Sequence, residues 1–200
     1  MHKTLRIVLC GLIGLLVLAA CGGPKKPGVP TVINSTSPPS ATQPGSFPTP
    51  IPPGSTIIYQ KIQVGMSETE LTNGYLTEFG SEREPSIGVK FLWVRLILEN
   101  LDTREHALPG PEHFSVLYGA GEFKANYGHR QDYLDYLSLK PAIYQGQKVD
   151  AWLRFEIPAG AKLQDLQFVY LPESFQLSSA KQTQDYTWAD HPAFFWRCGG

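Results

Sequence analysis

Histidine, the commonest metal ligand and general base, occurs five times in the 200-residue chain, and His106, His113, His129 and His191 all fall in its second half. Glu112-His113 and His129-x-x-Asp132-x-x-Asp135 are the nearest candidates for a metal or acid–base grouping. A zinc site asks for three or four converging ligands, and in polar loops such groupings read as solvated charges. No His-Glu-x-x-His and no Gly-x-Ser-x-Gly segment occurs. Met66 is the only methionine after the first residue, which rules out a Met-rich copper site. The acid pairs Glu82/Glu84 and Asp132/Asp135 are of the residue type that does general acid–base work, but their spacing suits surface loops. Gly119-Ala120-Gly121 separates two apolar stretches and opens no helix, so it is not a phosphate loop. These residues predict no catalytic site, no metal site and no cofactor.

The cysteines are more informative. Cys21 closes Leu18-Ala19-Ala20-Cys21, behind the basic Lys3 and Arg6 and the apolar residues 7–19. That run is about 13 residues, short of the roughly 20 that span a bilayer, and suits a cleavable export signal. Its closing residues resemble the bacterial lipobox. The resemblance implies that the Cys21 thiol is diacylated and that cleavage precedes it, making residues 1–20 a signal peptide. Two or more acyl chains hold a protein stably where one does not. The expected location is therefore the extracytoplasmic face of the cell membrane, with the membrane itself as a partner through the N-terminal lipid. Cys10 leaves with the leader, so Cys198 alone remains and no intramolecular disulfide forms. Near the end of the chain it reads as an idle thiol in a frayed terminus.

Residues 22–55 hold ten prolines and nine Ser or Thr, with Phe47 as their one aromatic. Such a stretch buries too little apolar surface to offset its chain entropy. Extended at about 3.1 Å per residue it reaches roughly 100 Å, so residues 21–55 read as a disordered, lipid-anchored linker. Residues 56–200 carry 13 basic and 18 acidic side chains, a balance of −5. That argues against nucleic-acid binding, which calls for a basic face.

Residues 56–200 are the size of one domain. Two long stretches alternate with period two. Leu92, Val94, Leu96 and Leu98 interleave with Phe91, Trp93, Arg95 and Ile97; Val149, Ala151, Leu153, Phe155 and Ile157 interleave with Asp150, Trp152, Arg154 and Glu156. Shorter strands are expected at 57–64, 114–118, 122–125 and 166–171, with helical turns only within 67–79 and 130–137. Short strands separated by turn signals predict an all-β antiparallel sandwich. The run Gly88-Val89-Lys90-Phe91-Leu92-Trp93-Val94-Arg95-Leu96-Ile97-Leu98-Glu99-Asn100 resembles a strand of the telokin-like, immunoglobulin-type domains of bacterial lipoproteins. Phe114-Ser115-Val116-Leu117-Tyr118, the Gln145-Gly146-Gln147 turn and Phe155-Glu156-Ile157-Pro158 continue the pattern, which covers 88–171. The resemblance implies an immunoglobulin-like β-sandwich of two sheets whose molecular role is unknown.

All four tryptophans, all nine tyrosines and nine of ten phenylalanines lie in this domain. Tyr127, Tyr133, Tyr136 and Tyr144 flank one polar segment; Tyr186, Trp188, Phe194, Phe195 and Trp196 crowd the end. The two long strands form an antiparallel pair if Trp93 faces Arg154, Arg95 faces Trp152 and Glu99 faces Lys148. The same register sets Leu98 by Val149, Val94 by Leu153 and Leu92 by Phe155, whereas a one-residue slip would spoil both faces. Phe91, Trp93, Arg95, Trp152 and Arg154 then share an outer face that is too apolar to meet water uncovered. The aromatic C-terminal segment or a partner is expected to cover it, and the face is the candidate binding surface. The functional expectation is a lipid-anchored binding or scaffold domain at the cell envelope with a protein, peptide or glycan partner. An envelope enzyme or metal-handling protein is the competing class.

Overall fold

The computed structural model describes residues 49–173 and 192–199, together with the backbone of 31–33. The leader, Cys21, most of the linker, Tyr186, Trp188 and His191 lie outside the described residues.

The described chain is an all-β, immunoglobulin-like antiparallel sandwich built from one curled sheet rather than two separate ones. Its first layer comprises β1 (Thr31–Ile33), β2 (Thr56–Tyr59), β3 (Ile62–Thr72), β6 (Val89–Asn100) and β11 (Lys148–Pro158), in that order. The second follows as β9 (Gly121–Asn126), β8 (Phe114–Tyr118), β12 (Leu166–Tyr170) and β13 (Phe194–Arg197). Only two residue pairs, Arg154 with Asn126 and Phe155 with Ala125, join the layers. Short two-residue strands form β4 (Tyr75–Leu76) with β5 (Glu82–Arg83), and β7 (His106–Ala107) with β10 (Ala142–Ile143).

β6 and β11 pair in the expected register: Trp93 opposite Arg154, Arg95 opposite Trp152, Glu99 opposite Lys148. Their inward residues Leu92, Val94, Leu96, Leu98, Ala151, Leu153 and Phe155 are fully buried against Val116, Phe168 and Trp196 of the second layer. The stretch expected as one strand over 57–64 is instead a hairpin. Gln60 and Lys61 both adopt positive φ (47° and 65°), as a two-residue turn that follows the strand twist requires.

Two expectations change. Residues 67–72 are strand, not helical turn, and in the second helical candidate only Tyr136–Ser138 forms a single 3-10 turn. Nor does the described part of the C-terminal segment, residues 192–199, lie on the outer face. Phe194–Arg197 is instead an edge strand of the second layer, with Trp196 in the core and its Nε1 donating to the Ser55 carbonyl at 3.0 Å. Ile51 stitches this edge from the other side, its N–H donating to Phe195 O at 2.6 Å. Cys198 is therefore not frayed. It is buried, its carbonyl accepts from Thr69 Oγ1 at 2.6 Å, and burial pushes its thiol up to about 12, which leaves it inert as a nucleophile.

Candidate functional site

The outer face of β6 and β11 acquires a third row from β3 through a β-bulge. Register shifts between Met66 and Glu68, so Ser67 is the extra residue. Before the bulge Val64 and Met66 point inward; after it Thr69 and Leu71 oppose Val94 and Leu92. The alternation is thereby reset, and Glu68, Glu70 and Thr72 come to lie opposite Arg95, Trp93 and Phe91 on the outer face. Without it both carboxylates would point into the core.

Something does cover this face. The chain leaves the sheet edge at Asn126, beside Arg154, and rejoins it where Trp152 N–H donates to Leu134 O at 2.8 Å. Between these points residues 127–133 fold out over the ladder. They pair with the β4–β5 hairpin: Gln131 N–H donates to Leu76 O at 2.9 Å, Thr77 bridges Arg130, and Glu78 N–H donates to His129 O at 2.9 Å. The result is a small two-stranded cover whose sides alternate. Thr77 and Arg130 face the ladder; Leu76, Glu78, His129 and Gln131 face away from it.

Aromatic and ionic contacts latch this cover down. Tyr133 stacks on Trp152 with ring centroids 3.8 Å apart, and Trp93 meets Tyr133 and Tyr75 edge-on at 5.4 and 5.0 Å. Arg130 lies 4.0 Å above the Tyr133 ring and 5.5 Å from Trp93, with Nη1 2.8 Å from Glu70 Oε2. The Tyr133 hydroxyl donates to the same carboxylate oxygen. Burial first, and then that hydrogen bond, push the Tyr133 phenol well above its ordinary range. Gly128 lets the loop touch the indole, because a Cβ there would lie 2.6 Å from Trp93 Cζ3. Asp135 pins both ends of the excursion. Its Oδ2 accepts from the Gly128 and His129 amides at 2.8 and 3.3 Å, and its Oδ1 accepts from Leu137 N–H at 2.9 Å.

The five residues expected on this face therefore divide. Phe91 and Trp93 are 2% and 1% exposed, so neither is presented to a partner. The Arg154 guanidinium sits over Phe91 at 4.9 Å, not over its register partner Trp93, whose ring is taken by Arg130. Arg95 lies 6.0 Å from the Trp152 ring and is held bidentately by Asp150 at 2.7 and 2.8 Å, with Glu68 at 3.3 Å. Trp152 remains half-buried at the margin.

Two large aromatic rings of the cover stand open to solvent, and of these the sequence pattern marked Tyr127 but not Phe79. Phe79, at the tip of the β4–β5 hairpin, is 79% exposed; Tyr127 is 59% exposed. His129 lies between them, its ring parallel to Tyr127 at 5.8 Å and tilted against Phe79 at 6.5 Å. Its Nδ1 is 3.2 Å from Glu78 Oε1. At the other end of the cover, Tyr75, Leu76, Arg130, Gln131 and Asp132 line a shallow open concavity of about 460 Å³.

The other described histidines, His106 and His113, have structural partners. His106 Nε2 is 3.1 Å from Asp102, whose carboxyl is held well below its usual range by Lys61 first and His106 second. His113 Nδ1 meets Leu171 O at 2.7 Å. Among the described residues no three His, Cys, Asp or Glu side chains are grouped to hold a metal ion, and no helix is long and apolar enough to cross a membrane.

Fold and site together define an all-β sandwich carrying a latched aromatic cover. No protein-family model and no curated protein matches the chain. Solved structures similar to it include the ycdA protein of Bacillus subtilis, provisionally described as a lipoprotein (14% identity, TM-score 0.45). That match covers 70% of this chain but only 37% of ycdA. The yjhA protein of Bacillus subtilis shares 12% identity over 72% of this chain and 97% of its own (TM-score 0.48). An uncharacterized β-sandwich protein of Clostridium difficile shares 10% over 68% and 91% (TM-score 0.42).

Proposed function

We propose that this chain is a lipid-anchored binding domain of the bacterial cell envelope, of the telokin-like type. Cys21 is its attachment point, and the outer surface of the cover is its contact surface. The carrying observation is that two large aromatic side chains, Phe79 and Tyr127, stand exposed on a loop pair whose underside is fixed by Glu70, Arg130, Tyr133 and Asp135. Exposed rings on a rigid support lose little conformational freedom on binding, which favours recognition over packing as their role. The lipobox at Leu18-Ala19-Ala20-Cys21 and the proline-rich connector support display outside the membrane. The ladder residues Phe91, Trp93, Arg95, Trp152 and Arg154 serve this reading as the foundation beneath the contact surface.

The test has two arms. In a bacterial host the full chain should incorporate labelled fatty acid and sediment with membranes, and Cys21→Ser should abolish both. Retained label and retained sedimentation in that variant would refute the anchor. The mature chain with Cys21→Ser should co-sediment with isolated cell envelopes and lose most of that binding when Phe79 and Tyr127 are both changed to Ala. Co-sedimentation unaffected by the double change would refute the contact surface.

A further inference from the structure

Two positions in the cover hold residues that the fold itself does not ask for. Phe79 sits one residue before Gly80 in a tight turn closed by Gly80 N–H to Thr77 O at 2.9 Å. Such a tip is ordinarily given to small or polar residues that favour turns. His129 has φ of +45°, a conformation that a side-chain-bearing residue enters at a cost. Both irregularities point side chains to the same outer surface, where their rings meet.

The chemistry of that surface is mixed. Rings at Phe79, Tyr127 and His129 alternate with the planar polar groups of Glu78 and Gln131, and Asp132 stands at the edge of the concavity. Glu78 holds His129 by Nδ1, which directs Nε2 away from that carboxylate. A pyranose ring presents C–H groups on one face and hydroxyls around its rim. It is matched by an exposed aromatic ring flanked by carboxylate, amide and imidazole groups, which donate or accept in their own planes. An acyl chain or apolar peptide asks instead for a continuous apolar groove, and here the rings are separated by charged or amide side chains. A polyanion asks for uncommitted cations. Arg130 is committed to Glu70 and Asp132, and residues 56–200 carry a balance of −5.

We infer that the outer surface of the cover binds a neutral glycan chain. Pyranose rings stack on Tyr127 and Phe79, and their hydroxyls are met by His129, Glu78, Gln131 and Asp132. The His129 ring lies 6.5 Å from Phe79 and 5.8 Å from Tyr127, and the concavity lined by Leu76, Gln131 and Asp132 belongs to the same cover, which gives a short run of sugar rings more than one point of contact. This inference rests on the reading of the cover as the contact surface.

The experiment titrates the mature chain carrying Cys21→Ser with two neutral tetrasaccharides, chitotetraose and cellotetraose, following backbone amide shifts by NMR. An acidic tetragalacturonate and a proline-rich decapeptide serve as comparison probes. At least one neutral sugar should bind saturably, with shifts centred on 78–80 and 127–132. Phe79→Ala or Tyr127→Ala should weaken it by about tenfold or more. Tyr144→Ala, an exposed aromatic in a different turn, should leave it unchanged. Absence of saturable binding by both neutral sugars overturns the inference, as does binding insensitive to Phe79 and Tyr127. Peptide binding at these rings without sugar binding overturns the glycan and leaves the contact surface standing. Envelope binding indifferent to the rings removes both.

Discussion

Asp135 is 6% exposed and its carboxylate accepts from three backbone amides, those of Gly128, His129 and Leu137. Replacing it with alanine removes the acceptor and leaves the donors. Gly128 is buried, so its N–H has no water to turn to and bears a desolvation cost of about 1–3 kcal/mol. His129 and Leu137 are half-buried and recover part of their loss by hydration. Summing one full penalty and two partial ones, Asp135→Ala should cost about 2–4 kcal/mol, a large share of the roughly 5–15 kcal/mol that a domain possesses. Asp135→Asn keeps one acceptor oxygen but turns an NH₂ toward donors on the other side, so its cost should fall lower, at about 1–2 kcal/mol. Urea denaturation measures the totals. Amide hydrogen exchange assigns them, with Gly128 and Leu137 losing protection well before the β6 and β11 amides. A cost for Asp135→Ala below about 0.5 kcal/mol, with Gly128 exchange unchanged, would refute the claim that this carboxylate pins the cover.

Two further outcomes follow from the same geometry. Gly128→Ala places a Cβ 2.6 Å from Trp93 Cζ3, and the indole is wedged among Tyr75, Tyr133 and Arg130, so it should cost about 1–3 kcal/mol and shift Trp fluorescence; a neutral substitution with an unchanged spectrum would mean that the contact is loose. Thr31–Ile33 pairs antiparallel with Thr56–Ile58 at the β2 edge, so limited proteolysis should protect 31–33, and Ile33→Pro, which removes the N–H donor facing Thr56, should abolish that protection. Cleavage at 31–33 equally fast in both forms would count against the pairing.

The β6–β11 register was legible because one alignment satisfied two faces at once: aliphatic residues inward, Trp-x-Arg outward. A period-two pattern leaves no intermediate solution. The third row was not legible. Met66-Ser67-Glu68-Thr69-Glu70-Leu71 contains two acids in a stretch that alternation alone assigns to the core side, and only the bulge at Ser67 turns them outward. A bulge is set by the partner strand and by local twist, and neither leaves a mark on a single strand's sequence. Phe194, Phe195 and Trp196 were visible as apolar, but the pairing of β12 with β13 spans a connection of more than twenty residues, and non-local pairing has no sequence period. The cover eluded the pattern for a third reason. Residues 127–133 carry polar and aromatic residues in no regular alternation, because the segment meets the ladder through Gly128, Arg130 and Tyr133 alone.

The excess of apolar surface on the outer face, and the cover that resolves it, account for the placement of the exposed rings. Phe91, Trp93 and Trp152 cannot be left to water; Tyr75 and Arg154 close over Phe91, and the excursion from Asn126 to Leu134 covers Trp93 and half-buries Trp152. A segment held that firmly by its underside is free to carry residues on its upper side that contribute nothing to folding. Phe79 at a hairpin tip and His129 at positive φ are residues of that kind. The two sides of the cover should therefore separate by experiment: substitutions at Arg130, Tyr133 or Asp135 lower stability and binding together, whereas substitutions at Phe79 or Tyr127 lower binding alone. Such a separation is what distinguishes a ligand platform from surplus core.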